Sequence, residues 1–222
     1  MTDILVRAKG LTRVFGAVTA ISEATFGVTA ADQIALVGPS GSGKSSLLHL
    51  IAAIDQPTEG TIEWPALGGP ASLRPGPVSI AFQGPSLLPP LTVAENIALP
   101  MLLAGAAESA AAQAADALIG RLGLTDVATK LPEEISGGQA QRAGLARALV
   151  GEPRLILADE PTGQLDRATS SELMNVLMEH VESTGAALIV ATHDAAIADR
   201  LPLRWQMNDR RLQTGAELPC SS

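Results

Sequence analysis

The sequence predicts an α/β fold with a mostly parallel sheet. Its 222 residues are 46% hydrophobic yet only 2% aromatic. A core of Ala, Leu, Ile and Val on that scale suits helices and buried strands better than an all-β fold. The runs 34–37, 155–158 and 187–191 are apolar without alternation, the pattern of strands covered on both faces. A helical stretch at about 168–183 separates the last two, making a βαβ unit with parallel pairing. Between the first run and the helical pattern that follows it lies the glycine-rich turn Gly38-Pro39-Ser40-Gly41-Ser42-Gly43-Lys44-Ser45.

The other elements follow in chain order. Residues 4–9, 23–29 and 33–37 read as strands, and the alternation in Glu23-Ala24-Thr25-Phe26-Gly27-Val28 predicts an N-terminal antiparallel β layer with one exposed face. Residues 57–77 are rich in Pro and Gly, so a short strand at 61–64 and a strand at 78–82 are expected on either side of a loop. Helical periodicity covers 93–103, the alanine-rich 107–122, which carries no chemistry of its own, and 138–150. The chain is thus expected to form one domain, with a helical subdomain at 84–150 inserted into a core of 1–83 and 151–222.

Composition removes several function classes. A formal net charge of −8 leaves no basic surface for a nucleic-acid partner. Cys220 is the only cysteine, so no intramolecular disulfide can form and a reducing compartment is expected. The first ten residues mix acids and bases without an apolar region, which argues against a signal peptide. The most apolar stretch, 97–107, is too short to span a bilayer and is interrupted by Pro100.

Three constellations carry chemistry. The turn from Gly38 to Ser45 fits G-x-x-x-x-G-K-[ST], between the strand and helix that motif requires. Its glycines allow successive N–H groups to face phosphate oxygens, with Ser46 continuing into the helix, whose positive end adds to the attraction. Lys44 is suited to the β/γ-phosphates of a nucleoside triphosphate and the Ser45 hydroxyl to Mg²⁺. Asp159 and Glu160 end an apolar strand and point different ways, one toward a metal and one toward attacking water. Ser136-Gly137-Gly138-Gln139 opens a helix with an N-capping serine and accessible amides, which makes a second anion site.

These residues resemble the ATP-binding subunit of an ABC transporter. Ile135-Ser136-Gly137-Gly138-Gln139 is similar to the family signature, with Ile135 in place of the usual leucine. Ala81-Phe82-Gln83 looks like its Q-loop, Gly163-Gln164-Leu165-Asp166 its D-loop, and Ala191-Thr192-His193-Asp194 its switch histidine. Phe15 stands where the family stacks an aromatic ring on adenine. The resemblance spans about 4–215 and implies a P-loop NTPase (RecA-like) core.

It also implies that two copies sandwich ATP, with Ser136 and Gly138 contacting the γ-phosphate held by the other copy. Glu160 would polarise water, His193 would position water and phosphate, and Gln83 would sense the metal site. Asp166 would read the opposite subunit. The implied partners are a homodimeric mate in the ATP-bound state and a separate integral membrane permease, which places the chain in the cytoplasm against the inner face of the cell membrane. The stretches 87–100 and 157–166 are similar to the macrolide-exporter and lipoprotein-release group, although 61–82 is shorter than usual there. That group implies peptides, lipids or lipoproteins as cargo. An importer subunit, a soluble cassette ATPase acting on DNA or ribosomes, and a P-loop kinase are the alternatives. Leu87, Leu88 and Met101 are expected to be the exposed part of a permease-binding groove, His49 to pack within a helix layer and His180 to lie at the surface.

Overall fold

The computed structural model describes residues 3–84, 86–163 and 165–215; Cys220 and Gln164 lie outside them. Two long strands, β1 (Ile4–Phe15) and β2 (Val18–Thr29), pair as an antiparallel hairpin. After β3 (Gln33–Val37) and α1 (Lys44–Ile51), β4 (Glu59–Glu63) adds to the free edge of β1. This layer is longer than the sequence suggests: several bulges carry the pairing through 10–22, where strict alternation is lost.

The main sheet contains β3, β5 (Val78–Ala81), β6 (Leu155–Asp159), β7 (Ala187–Thr192), β8 (Leu203–Asn208) and β9 (Arg211–Thr214). Its order is β5-β6-β7-β3-β8-β9, parallel throughout except for β8 with β9. The final hairpin is an addition to the elements expected from sequence. In Leu203-Arg204-Trp205-Gln206-Met207-Asn208 only Trp205 and Met207 turn fully inward, so this edge strand lacks the continuous apolar run of its neighbours.

Strand alternation divides the interior into two clusters. Leu155, Leu157, Ala187, Ile189, Ile34 and Leu36 face α1 and the antiparallel layer. Ile156, Ala158, Leu188, Val190 and Ala35 face the helices α2 (Val93–Leu103), α3 (Glu108–Arg121), α4 (Gly137–Leu149) and α5 (Arg167–Thr184). A short α6 (Ala195–Ala198) follows β7. The Phe26 and Trp205 rings, 5.1 Å apart, join the antiparallel layer to β8. The buried side chains of α2 to α4 are continuous with this second cluster, so the expected subdomain shares its core with the sheet.

Two exposure expectations are overturned. His180 is only 6% exposed, because it lies on the inward face of α5, and burial and Arg121 together push its pKa down. Leu87 is only 8% exposed, whereas Leu88 is open at 43%, and Leu102 and Leu103 also face outward. Met101 is partly buried. His49, on α1, has its ring 6.0 Å from that of Phe82, in line with the packing role expected for it. No helix among the described residues is long and apolar enough to cross a membrane.

The approach to α2 is fixed by a polar knot. Thr92 and Glu95 form a reciprocal capping box. Fully buried Asn96 donates from Nδ2 to the carbonyls of Leu88, Leu91 and Thr92 at 3.1, 2.9 and 3.0 Å, and its Oδ1 accepts the Leu88 amide at 2.7 Å. Asn96→Ala strands these main-chain groups and should cost about 2 kcal/mol, or about 4–8 °C in Tm. Thermal melting beside the wild-type chain checks this.

Candidate active site

The turn from Gly38 to Gly43 joins the end of β3 to α1 and is pressed against the strands on either side. A Cβ on Gly43, whose φ is +107°, would lie 2.3 Å from the Ala20 carbonyl oxygen. One on Gly38 would lie 2.3 Å from the Met207 carbonyl oxygen and 2.9 Å from Ser42 Oγ. Side chains are excluded at both positions by backbone on β2 and β8. Helix α1 has no side-chain cap and no acid in its first turn, unlike α2, α4 and α5, which are capped by side chains. Its terminal amides therefore remain available to an anion.

Lys44 is buried and donates from Nζ to the Gly38 and Pro39 carbonyls at 2.9 and 3.2 Å. The same nitrogen lies 4.0 Å from Glu160 Oε1, and Glu160 Oε2 lies 2.6 Å from His193 Nδ1. The glutamate side chain is 11% exposed and the histidine 69%, so the cluster runs from a sheltered carboxylate to a solvent-facing imidazole. Asp159 is buried beside it and accepts a hydrogen bond from the Ser45 hydroxyl. Burial pushes the Asp159 carboxyl above its usual range; the Ser45 bond pulls down, the Glu160 charge pushes up, and His49 and Lys44 pull down.

Sheet register brings these groups together. Val37 pairs with Thr192, Asp159 with Ala191, and Ala81 with Ala158. Gly38, His193, Glu160 and Phe82 are therefore the first residues beyond the same end of four parallel strands. Gln83 follows at that end and is exposed. Phe15 is 48% exposed at the end of β1, with the Arg13 guanidinium 4.3 Å over its ring centre and Arg13 paired to Asp55 at 2.7 Å. One ring face is thus occupied by Arg13, leaving the other for a base.

The stretch expected to form a second anion site is the start of helix α4. Ser136 Oγ accepts the Gln139 amide at 3.2 Å, and Gln139 Oε1 accepts the Ser136 amide at 2.8 Å. This box leaves the Ser136 hydroxyl proton and the Gly137 and Gly138 amides outside its own bonds. Ile135 packs against the core, as a leucine would. Asp166 is engaged within its own chain. It accepts the amides of Ala168 and Thr169 and the Thr169 hydroxyl, capping α5, and these bonds hold its carboxyl below the usual range. Sequence reasoning missed Arg13, Arg147 and Gln141. Arg147 grips Ser86 just after the Q-loop, and Gln141 donates to the Glu160 carbonyl.

A glycine loop that runs into a lysine at a helix start, with an Asp-Glu pair at the end of β6 in the same parallel sheet, defines a P-loop nucleoside triphosphatase. Residues 21–163 match the ABC transporter family, and the chain belongs to it. It is 39% identical over 212 residues to the lipoprotein-releasing system ATP-binding protein LolD of Legionella pneumophila (strain Lens), covering 90% of this chain and 93% of that one. It is 40% identical over 213 residues to the LolD of Cereibacter sphaeroides, covering 90% and 95%. The fold matches that of a dimeric ATP-binding cassette in a post-hydrolysis state bound to ADP and Pi, with a TM-score of 0.86 at 28% identity, covering 96% of this chain and all of the other. The chain is an ATPase of this family.

The raised Asp159 pKa has a direct consequence. A carboxyl whose folded pKa lies above its unfolded value costs stability once pH exceeds the unfolded pKa, and that cost fades as pH falls through that range. Asp159→Asn removes the buried charge, so the nucleotide-free chain should melt at a higher temperature at neutral pH and the difference should shrink on acidification. The same variant should lose the extra stabilisation given by ATP with Mg²⁺. A melting series over pH, with and without nucleotide, reads both effects.

Proposed function

We propose that this chain energises a separate membrane permease that releases lipoproteins or related acylated molecules from the membrane, and that it works peripherally on the cytoplasmic face. The cluster of Glu160 with His193 and Lys44, beside the Ser45–Asp159 pair, carries the ATPase part of this reading. The cargo class is supported by the two LolD relatives, each matched over at least 90% of this chain.

ATP would lie with its phosphates on the turn from Gly38 to Ser46, Lys44 turning to the β/γ-oxygens and Phe15 offering its open face to adenine. The site fits Mg²⁺: the Ser45 hydroxyl and Asp159 carboxylate are adjacent hard oxygen donors, and a buried carboxyl with a raised pKa gains most from a cation. Gln83 would complete the protein's contribution. Bound there, Mg²⁺ would draw off charge developing on the phosphate oxygens. Glu160 would take a proton from attacking water, with His193 bonded to one of its oxygens fixing the carboxylate's direction.

Two phosphate-binding helix ends on one chain suit a head-to-tail pair, in which Ser136, Gly137, Gly138 and Gln139 close over the nucleotide of the other subunit. The solved relative bound to ADP and Pi is itself a dimer. Glu160→Gln should lower turnover by about 10²–10⁴-fold while ATP still binds, because only the base is lost. Light scattering of that variant should show a dimer with ATP and a monomer without it. Near wild-type turnover would remove Glu160 from its role.

The permease contact is a groove of about 1080 Å³ between the β5 segment and the ends of α2 and α4. Its apolar wall includes Ile80, Leu88, Met101 and Leu103, and its charged lining is Arg74 and Arg147 against Glu152, a net positive charge. That composition suits a short amphipathic cytoplasmic helix carrying an acidic side chain. Leu88→Glu or Met101→Glu should abolish co-purification with the permease and leave basal hydrolysis within about twofold. Unchanged co-purification would exclude this face.

A further inference from the structure

Gln141 lies in α4, five residues past the Ser136 cap, and is 5% exposed. Its Nε2 donates to the Glu160 main-chain carbonyl at 3.0 Å. Glu160 itself has φ +50°, a left-handed conformation that a residue with a Cβ keeps only when its surroundings hold it there. Three bonds do so. The Glu160 amide donates to the Ala191 carbonyl at 2.9 Å, the Gly163 amide donates to the Glu160 carbonyl at 3.1 Å, and the Gln141 bond joins the same oxygen.

The first bond ties the turn to β7 and the second closes it on itself; of the three, only the Gln141 bond comes from α4. A second contact has the same origin, since a Cβ on Gly138 would lie 3.1 Å from Leu165 Cδ2. The anion-binding end of α4 thus rests on the segment that follows Glu160, and the next turn of α4 holds Glu160 itself. Gln141 also lines a small pocket with Phe82 of the Q-loop, Gly84 and Ser86 just after it, and Pro161 of the turn.

We propose that Gln141 is a positioning residue that ties the direction of the Glu160 carboxylate to the place of α4. When Ser136, Gly137 and Gly138 engage the nucleotide held by the other subunit, α4 settles and Glu160 of the same chain is set for its own nucleotide. Each site then reports its occupancy to the other through one amide. The proposal rests on the two-subunit reading above. A small rotation of the turn is enough to act, because the Glu160 carboxylate meets His193 at 2.6 Å and loses that contact quickly on turning.

Gln141→Met keeps the side chain's length and removes its donor. The Glu160 carbonyl still accepts from Gly163, so that acceptor is not orphaned and the fold should survive. With the full chain and ATP plus Mg²⁺, kcat should fall about tenfold, KM should stay within about twofold, and the Hill coefficient should drop from near 2 toward 1. Gln141→Glu supplies the second measurement. A buried carboxyl facing the Glu160 main-chain carbonyl titrates above its usual range and donates only when protonated. Its activity relative to wild type should therefore rise as pH falls from about 8 to about 6, whereas that of Gln141→Met stays flat. Unchanged kcat and cooperativity in Gln141→Met would overturn the proposal. So would a loss of activity that comes with a lowered melting temperature and shows no acid recovery in Gln141→Glu. Failure of Glu160→Gln to dimerise with ATP while Gln141 is intact would overturn the two-subunit reading, and this inference with it.

Discussion

The parallel register of the central strands sets where every catalytic group can stand. Val37, Thr192, Asp159 and Ala81 end side by side, so the chain leaves the sheet four times at one edge and each exit delivers a different group. The β3 exit gives the phosphate turn, β6 gives Asp159 and Glu160, β7 gives His193 and β5 gives Gln83. A one-residue slip in any of these pairings would turn that strand's apolar side chains into the wrong cluster, because alternate residues of β6, β7 and β3 belong to opposite faces. The two packed cores therefore hold the site's geometry, although few of their residues touch it.

A chain with net charge −8 nevertheless builds a site for a polyanion, and it does so with local dipoles more than with cations. Helix α1 starts without a capping side chain, and Lys44 is the buried cation at its entry. Two carboxyls stand in the same place. Glu160 finds partners in His193 and Lys44, whereas Asp159 is left with the Ser45 hydroxyl and a raised pKa. Among the described residues no group of three or more acidic, histidine or cysteine side chains could hold a metal. Mg²⁺ held as proposed above by Ser45, Asp159 and Gln83 would take its remaining oxygens from phosphate and water.

Much of this was legible in the sequence because the informative residues are consecutive. A strand, a glycine turn and a helix, or an apolar run ending in Asp159-Glu160, fix their own geometry over fewer than about twenty residues. What escaped notice depends on contacts between distant segments. Gln141 and Glu160 lie in different elements, 19 residues apart, and nothing in either stretch marks their bond. Arg13 covering Phe15 depends on Asp55, and the burial of His180 depends on which face of α5 meets the sheet. Asp166, expected by resemblance to read the opposite subunit, also has a role within its own chain: its carboxylate caps α5, as the sequence Asp166-Arg167-Ala168-Thr169 already advertises. The β8–β9 hairpin was hidden because an edge strand needs only alternate apolar residues, and Trp205 and Met207 supply them.

The composition of α4 connects these points. Its inward positions are Ala140, Ala143, Ala146 and Ala148, with Leu145 and Leu149 toward its end, so its first turns approach the sheet more closely than a leucine-faced helix could. Close approach lets a glutamine side chain reach main chain on the neighbouring turn, and lets Gly138 sit against Leu165. Larger side chains would separate α4 from Glu160 by the thickness of a methyl group or more, and a hydrogen bond does not survive such a change. Small residues on this face are a condition for contact between the anion-binding end of the helix and the catalytic turn. Because α2, α3 and α4 share one buried cluster with the sheet, a shift of α4 also reaches the groove walled by α2 and β5. On the reading proposed above, nucleotide and membrane partner would act on opposite ends of one helix.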